Sequence, residues 1–182
     1  MDDAADSTLL VERARGGDQA AWAGIYRLAY PRLLAFAQRR LGSPDAGRDA
    51  VSETMVRAVA GIANYRYNDD GITPWLFGIC RNVVAEAQRR DRRFVGIEPP
   101  EQAVNPDPAG RLIAEQDGDI VRRAFSRLDP KERELLELRV LGQLSSEQAA
   151  AALGMKPGAV RMAQMRALAR LRAFVEEGER VG

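Results

Sequence analysis

A cluster of four prolines in the middle of the chain sets the main limit on how it can fold. Pro99, Pro100, Pro106 and Pro108 lie within ten residues of one another, among acidic and small side chains. Proline lacks the amide proton that helices and sheets use, and its ring clashes with a preceding helical turn. The sequence therefore predicts a linker at residues 94–119 between a first domain at residues 1–93 and a second at residues 120–182.

The segments on both sides of this linker have the pattern of α-helices. Apolar residues recur at helical spacing, strand-like alternation is lacking, and Ser43–Pro44 and Asp129–Pro130 mark two helix starts. We expect an all-α protein of two small helical domains. The predicted helices cover about 18–40, 43–60, 74–93, 119–128, 130–141 and 145–153, and one further helix begins at Pro157.

The apolar residues of the first two long helices are expected to face the core of the first domain. The predicted inward residues are Trp22, Ile25, Tyr26, Ala29, Leu33 and Phe36 on one helix, and Val51, Met55, Ala58 and Val59 on the other.

Composition excludes several classes of function. The chain of 182 residues contains no histidine and one cysteine, Cys80, so histidine-based catalysis, a cysteine-rich zinc site and an internal disulfide are excluded. The acidic N-terminus and the lack of a long apolar run argue against a signal peptide or a membrane insertion. We expect a cytoplasmic protein that needs no cofactor and is not an enzyme. Cys80 falls on an apolar helix face, so packing is a simpler role for it than redox sensing.

Charge is distributed unevenly along a chain whose formal net charge is only +1. The first domain carries 14 basic and 12 acidic residues, the linker 1 and 6, and the second domain 12 and 8. Of the 27 basic residues 25 are arginine, which makes bidentate contacts to phosphate and guanine, although a GC-rich genome also favours arginine.

A charged ridge follows the predicted helix at residues 43–60. Asp49, Glu53 and Arg57 recur every four residues, so their side chains share one face. This ridge is either a docking surface for another protein or a solvated face with an ordinary Glu53–Arg57 ion pair.

The helix at residues 74–93 has a face suited to nucleic acid. Trp75, Asn82, Arg89 and Arg93 lie within about 40° of one another around the helix axis. Aromatic rings stack on bases, amides bind base edges and arginines bind phosphates. Arg90 and the upstream Tyr65 and Tyr67 extend this predicted surface. Alternatively, Trp75 is a core aromatic and Asn82 a bonded polar residue at the edge of the core.

The second domain has the pattern of a helix-turn-helix. Ser145 and Gln148 fit a capping box, Gly154 supplies the turn and Pro157 begins the next helix. That helix is expected to bury Val160, Ala163, Ala167, Leu171 and Phe174 and to expose Arg161, Met162, Met165, Arg166, Ala169 and Arg170. Five basic residues and no acid occur between Lys156 and Arg172, as expected of a recognition helix in the DNA major groove. A basic helix packed on an acidic neighbour has the same composition.

Four segments in succession resemble the extracytoplasmic-function (ECF) group of bacterial sigma factors, the dissociable promoter-reading subunits of RNA polymerase. They are LVERARGGDQAAW from Leu10, DAVSETMVRAV from Asp49, PWLFGICRNVVAEAQRR from Pro74 and LDPKERELLELRVLGQLSSEQAAAALGMKPGAVR from Leu128. The resemblance covers nearly the whole chain outside the linker.

The resemblance implies a role for each candidate surface. Asp49, Glu53 and Arg57 would bind core RNA polymerase at the clamp of its largest subunit, and the flap is a second contact. The −10 element of promoter DNA would be bound by Tyr65, Tyr67, Trp75, Asn82, Arg89, Arg90 and Arg93, with Asn82 helping to hold a flipped base. The −35 element would be bound by Lys156, Arg161, Met162, Met165, Arg166 and Arg170. Met162 and Ala163 replace a frequent serine and arginine of the family, which leaves the −35 sequence open. An anti-sigma factor is a further implied partner.

Two other functions remain compatible with parts of the sequence. A self-sufficient helix-turn-helix regulator would use only residues 120–182, and it leaves the Asp49 ridge and the Asn82 face unexplained. An interaction module would use its basic faces to bind an acidic regulator, which is also compatible with a sigma factor. Binding to a palindrome without polymerase would favour the regulator.

Overall fold

The computed structural model describes the backbone of residues 3–67, 70–95 and 115–181, and the side chains of residues 8–67, 70–91 and 118–180. Within these ranges the chain forms α-helices and one short 3₁₀ turn, Ile62–Asn64, and no strand. The predicted all-α fold class is confirmed. The helices are α1 Asp3–Arg15, α2 Gln19–Leu41, α3 Pro44–Gly61, α4 Thr73–Val95, α5 Glu115–Ser126, α6 Pro130–Val140, α7 Ser146–Leu153 and α8 Pro157–Val181.

Side-chain caps begin the helices where the sequence predicts them. Asp18 accepts hydrogen bonds from two backbone amides at the start of α2, and Ser43 accepts one at the start of α3. Asp129 and Ser145 form capping boxes with Glu132 and Gln148. Each bond satisfies a backbone donor that has no partner within the helix.

Helices α1 to α4 enclose the core of the first half of the chain. Phe36 and Phe77 meet edge to face, with ring centroids 5.8 Å apart, and both are fully buried. Helices α2 and α3 cross closely at Gly47, where an added Cβ would lie 2.4 Å from Cγ of Gln38.

Two residues predicted to face this core are exposed instead. Tyr26 is 40% exposed and stacks on Tyr30 at the surface of α2, and Val59 is 51% exposed on α3. Each follows directly after a fully buried residue, Ile25 or Ala58, and one residue step rotates the side chain by about 100°. The buried stripes are therefore narrower than predicted.

Helices extend into both ends of the linker predicted at residues 94–119. Helix α4 reaches Val95 and α5 begins at Glu115, so both ends of the predicted linker are helical. The four prolines lie outside the described residues. The domain boundaries stay a prediction.

The two halves of the chain pack against each other, which the sequence did not predict. Helix α7 lies on α4, and one cluster of buried apolar residues spans both halves. Phe77 of α4 is fully buried, and a Cβ added to Gly142 after α6 would lie 3.1 Å from its ring. One apolar cluster thus joins the described halves, and a second, smaller cluster of Leu128, Leu136 and Ala167 lies within the second half.

We expect Gly47→Ala to lower the free energy of unfolding by about 1–2 kcal/mol. The new methyl group collides with Gln38, including its backbone, which costs more than the gain in helix propensity. Gly158→Ala in α8 is the matched control, because nothing lies within 4 Å of its added Cβ. Chemical denaturation measures both, and equal stability of the two variants would contradict the close crossing of α2 and α3.

Candidate nucleic-acid interface

The charged ridge of Asp49, Glu53 and Arg57 lies on α3, and Arg57 links it to α4. Asp49 and Glu53 are both exposed, one turn apart. Arg57 donates through Nε to Glu53 at 2.7 Å and through both terminal nitrogens to Glu86 of α4, at 2.9 and 2.7 Å. The guanidinium thereby links the ridge to the helix that carries Asn82.

Glu86 is a site residue that the sequence analysis missed. Hydrogen bonds from Arg57 lower the pKa of the Glu86 carboxyl, and the charges of Arg89 and Arg90 add to this shift. Glu86 therefore stays ionised among cations. Glu86 and Arg57 are 29 residues apart in the sequence, on two different helices. The residue spacing within either helix does not predict such a contact.

The aromatic part of the predicted surface is mostly packed inward. Tyr65 is only 5% exposed, and its ring lies 5.1 Å from that of Trp75, which is half-buried. One edge of the indole lies 3.5 Å from the position of a Cβ on Gly61. The ring of Tyr65 is packed against Trp75 and not exposed, and its role at the −10 element stays a prediction.

The polar part of this surface is accessible. Asn82, Arg89 and Arg90 are exposed on α4, and Tyr67 is 39% exposed before the helix. Arg93 lies in α4, but its side chain is outside the described residues. The edge of Trp75 and the amide of Asn82 thus share a flank of the helix with two arginines.

The exposed face of α8 matches the predicted recognition face. Met162 and Met165 are 51% and 57% exposed, while Val160 and Ala167 are fully buried. The predicted cations are all exposed: Lys156, Arg161, Arg166 and Arg170.

Acidic side chains of neighbouring helices hold two of these arginines. Arg161 pairs with Glu147 of α7 at 2.9 Å, and Arg170 pairs with Glu132 of α6 at the same distance. Both side chains of the Arg161–Glu147 pair are more than half exposed, so this pair contributes little to stability, whereas Glu132 is only 16% exposed beside Arg170. Both pairs direct the guanidinium groups along the face of α8.

A polar bridge sets the angle between the helices of the second half. Arg139 of α6 donates to Gln164 of α8 at 2.9 Å and also to the backbone oxygen of Leu144. Gly154 ends α7 with φ of 66°, a left-handed conformation that favours glycine. The bonds of Arg139 join α8 to the segment before α7, and the turn at Gly154 connects α7 to α8. The result is a helix-turn-helix arrangement.

Cys80 has the environment of a packing residue. It is buried on the apolar face of α4, and burial raises the pKa of its thiol to about 11. A neutral thiol is a poor nucleophile and a poor metal ligand. In the described part of the chain no cluster of three acidic or cysteine side chains is placed to hold a metal, and no helix there is long and apolar enough to cross a membrane.

Two family models match the chain. Sigma-70 region 2 matches residues 25–94, which contain α3, α4 and the Asn82 face. Sigma-70, region 4 matches residues 118–171, which contain the helix-turn-helix.

Similar proteins are curated as sigma factors. The ECF RNA polymerase sigma factor ShbA of Streptomyces griseus is 33% identical over 92% of this chain and 94% of its own length. The ECF RNA polymerase sigma factor SigD of Mycobacterium tuberculosis is 30% identical over 90% of this chain and 81% of its own length.

Solved structures share the fold. RpoE of Bartonella quintana, in complex with the anti-sigma factor NepR, superimposes with a TM-score of 0.66 at 26% identity, over 85% of this chain and 96% of that one. CnrH in complex with the cytosolic domain of CnrY gives a TM-score of 0.68 at 24% identity, over 94% and 98%.

Proposed function

Because this chain belongs to the ECF sigma factors of RNA polymerase, proteins of transcription initiation, we propose that it reads two promoter elements in the holoenzyme. The first domain, residues 1–93, binds the −10 element and captures a base flipped from it. The second domain, residues 120–182, binds the −35 element. The linker at residues 94–119 spans the DNA between them.

One observation carries this proposal: the chain has two exposed faces with nucleic-acid chemistry, each backed by a buried apolar face of its own helix. On α4, Asn82 and Arg89 are exposed while Leu76 and Val83 are buried. On α8, Met162 is exposed while Val160 is buried. A regulator that used only its helix-turn-helix would have no use for the first face.

Core polymerase is the proposed partner of the α3 ridge. Asp49 and Glu53 place two negative charges one turn apart on an exposed helix, a surface that fits a basic patch on the clamp. Arg57 is already bonded to Glu53 and Glu86, so we assign it to positioning the ridge against α4. The flap is the proposed partner of the second domain.

The −10 face is suited to holding an unpaired base. Extruding a base costs a few kcal/mol, and stacking with edge hydrogen bonds in a pocket offsets this cost. Asn82 supplies both a donor and an acceptor, Trp75 a half-buried indole ring and Arg89 a cation for the backbone. None of these groups breaks a covalent bond, so the chain acts as a specificity subunit and not as an enzyme.

The −35 face combines charge with apolar contact. Arg161 lies near the start of α8, where recognition helices reach base edges, and Glu147 orients its guanidinium. Met162 and Met165 present exposed apolar groups suited to a thymine methyl group. Lys156, Arg166 and Arg170 are assigned to phosphates.

Regulation by an anti-sigma factor is part of the proposal. RpoE of Bartonella quintana was solved with such a partner, and it matches this chain across both halves. We propose that this chain works in the cytoplasm, where it meets polymerase, and that a comparable partner controls it.

We expect Asp49→Arg with Glu53→Arg to weaken binding to core polymerase at least about 100-fold. Reversing both charges puts like charges together at the clamp, which costs several kcal/mol. Glu12→Arg on α1 is the control, because it reverses an exposed acid of the same half on a helix that does not pack on α3. Titration of labelled chain with purified core measures both, and unchanged affinity of the ridge variant would show that the ridge is only solvated.

We expect Asn82→Ala to slow promoter opening about tenfold or more and to leave core affinity within about twofold. Loss of the edge hydrogen bonds removes about 1–3 kcal/mol from base capture. Permanganate reactivity of the −10 thymines measures opening, and a template already unpaired there should restore much of the activity. Gln19→Ala removes an exposed amide from α2 and serves as control. A loss of core binding, with normal opening once bound, would contradict this role for Asn82.

A further inference from the structure

We propose that Arg15 of α1 is a positioning residue for the −10 face: it binds the backbone at Tyr65 and thereby holds Tyr67 beside Trp75. No residue of α1 belongs to the surfaces predicted from the sequence. The part that Tyr67 plays at the −10 element rests on the function proposed above. The contact of Arg15 is a property of the chain alone.

Arg15 is the last residue of α1, and its guanidinium reaches a segment 50 residues further along the chain. One terminal nitrogen donates to the carbonyl oxygen of Tyr65 at 2.6 Å, and the other donates to Glu12 of the same helix at 2.7 Å. A hydrogen bond from a charged donor is stronger than one between neutral groups. Because Glu12 restricts the rotation of the guanidinium, the bond to Tyr65 has a defined direction.

The carbonyl of Tyr65 lies where the chain leaves the core of the first half. The Tyr65 amide closes the preceding 3₁₀ turn by donating to Ile62 at 3.1 Å, and the backbone then becomes extended, with ψ of 127°. The Tyr65 ring is buried against Trp75. Since the peptide group is planar, a bond to this carbonyl fixes the direction in which the chain continues.

The position of Tyr67 depends on this direction. Tyr67 follows Tyr65 by two residues, and two extended residues span at most about 7 Å, so it stays close to the Tyr65–Trp75 contact. Asn82 lies about two turns further along α4 on the same side as Trp75. Tyr67 therefore lies at the Trp75 end of the −10 face, where its side chain is 39% exposed.

Apolar burial holds α4 but does not hold Tyr67. Ile72 and Leu76 are buried at the start of α4, and the Leu76 amide donates to the Ile72 carbonyl at 3.1 Å. Arg66 and Tyr67 are both exposed, so their backbone order depends on the groups that hold Tyr65. Loss of the Arg15 bond should therefore loosen Tyr67 and leave α4 in place.

Hydrogen exchange in the free full-length chain tests the contact by itself. Arg15→Met removes the donors and keeps an aliphatic side chain, and Arg27→Met is the matched control, because it removes an exposed arginine from α2. NMR follows the amide of Tyr65, and the buried Val160 of α8 is the reference for opening elsewhere. We expect Arg15→Met to speed exchange at Tyr65 at least about fivefold, and both variants to leave Val160 within about twofold.

Promoter opening by the holoenzyme tests what the contact does. We expect Arg15→Met to slow opening about fivefold, because Tyr67 is no longer held in place, and to leave core affinity within about twofold. In a double-mutant cycle with Tyr67→Ala, the further effect of Arg15→Met should be less than about twofold. Arg27→Met should match the parent chain. A general loss of stability would instead slow opening by the same factor in both backgrounds.

Unchanged exchange at Tyr65 in Arg15→Met would overturn the contact. Equal slowing of opening with and without the Tyr67 ring would overturn the positioning role. If the parent chain opened promoters no faster than Tyr67→Ala, the −10 role proposed for Tyr67 would be wrong, and the exchange measurement would still decide the contact of Arg15.

Discussion

Helix α4 carries three faces with different surroundings, and the rest of the structure depends on which residues each face holds. One face buries Leu76, Cys80 and Val83 in the first half. A second presents Asn82 and Arg89 to solvent, and a third carries Phe77 and Arg81 toward the second half. Because a helix turns 100° per residue, residues next to each other in the sequence of α4 belong to different faces.

Polar pairs between helices set the geometry that apolar packing leaves free. Apolar contact has little direction, whereas a bidentate arginine–carboxylate pair fixes distance and angle. Arg57 uses such a pair to hold α3 against α4, and Arg81 uses another to hold α6 against α4. Burial raises the pKa of the Glu137 carboxyl, and the charges of Arg40 and Arg39 oppose that shift. Arginine is thus used within the protein as well as on its proposed DNA faces.

The sequence correctly predicted the features that depend on residues close together along the chain, such as helix caps. The caps at Asp18, Ser43, Asp129 and Ser145 are confirmed, since each is a bond within one turn. The predicted stripe of α8 is confirmed at Val160 and Ala167, which are fully buried, while Ala163, Leu171 and Phe174 are partly buried against the same cores. The predicted burial of Tyr26 and Val59 was wrong, because the period of the apolar residues locates the centre of a buried stripe better than its edges. The contacts of Arg57 with Glu86 and Arg81 with Glu134 join distant residues, so no local pattern announces them. The roles of the exposed residues in binding polymerase and DNA stay predictions.

Transcription from a randomised promoter library tests the central claim most directly. Purified core polymerase and this chain are incubated with templates randomised upstream of a fixed transcript, and the productive templates are sequenced. We expect two enriched motifs at a fixed spacing, near −35 and −10, and transcripts that require both the chain and core polymerase. Absence of chain-dependent transcripts, together with binding of the chain alone to a two-fold symmetric site, would contradict it.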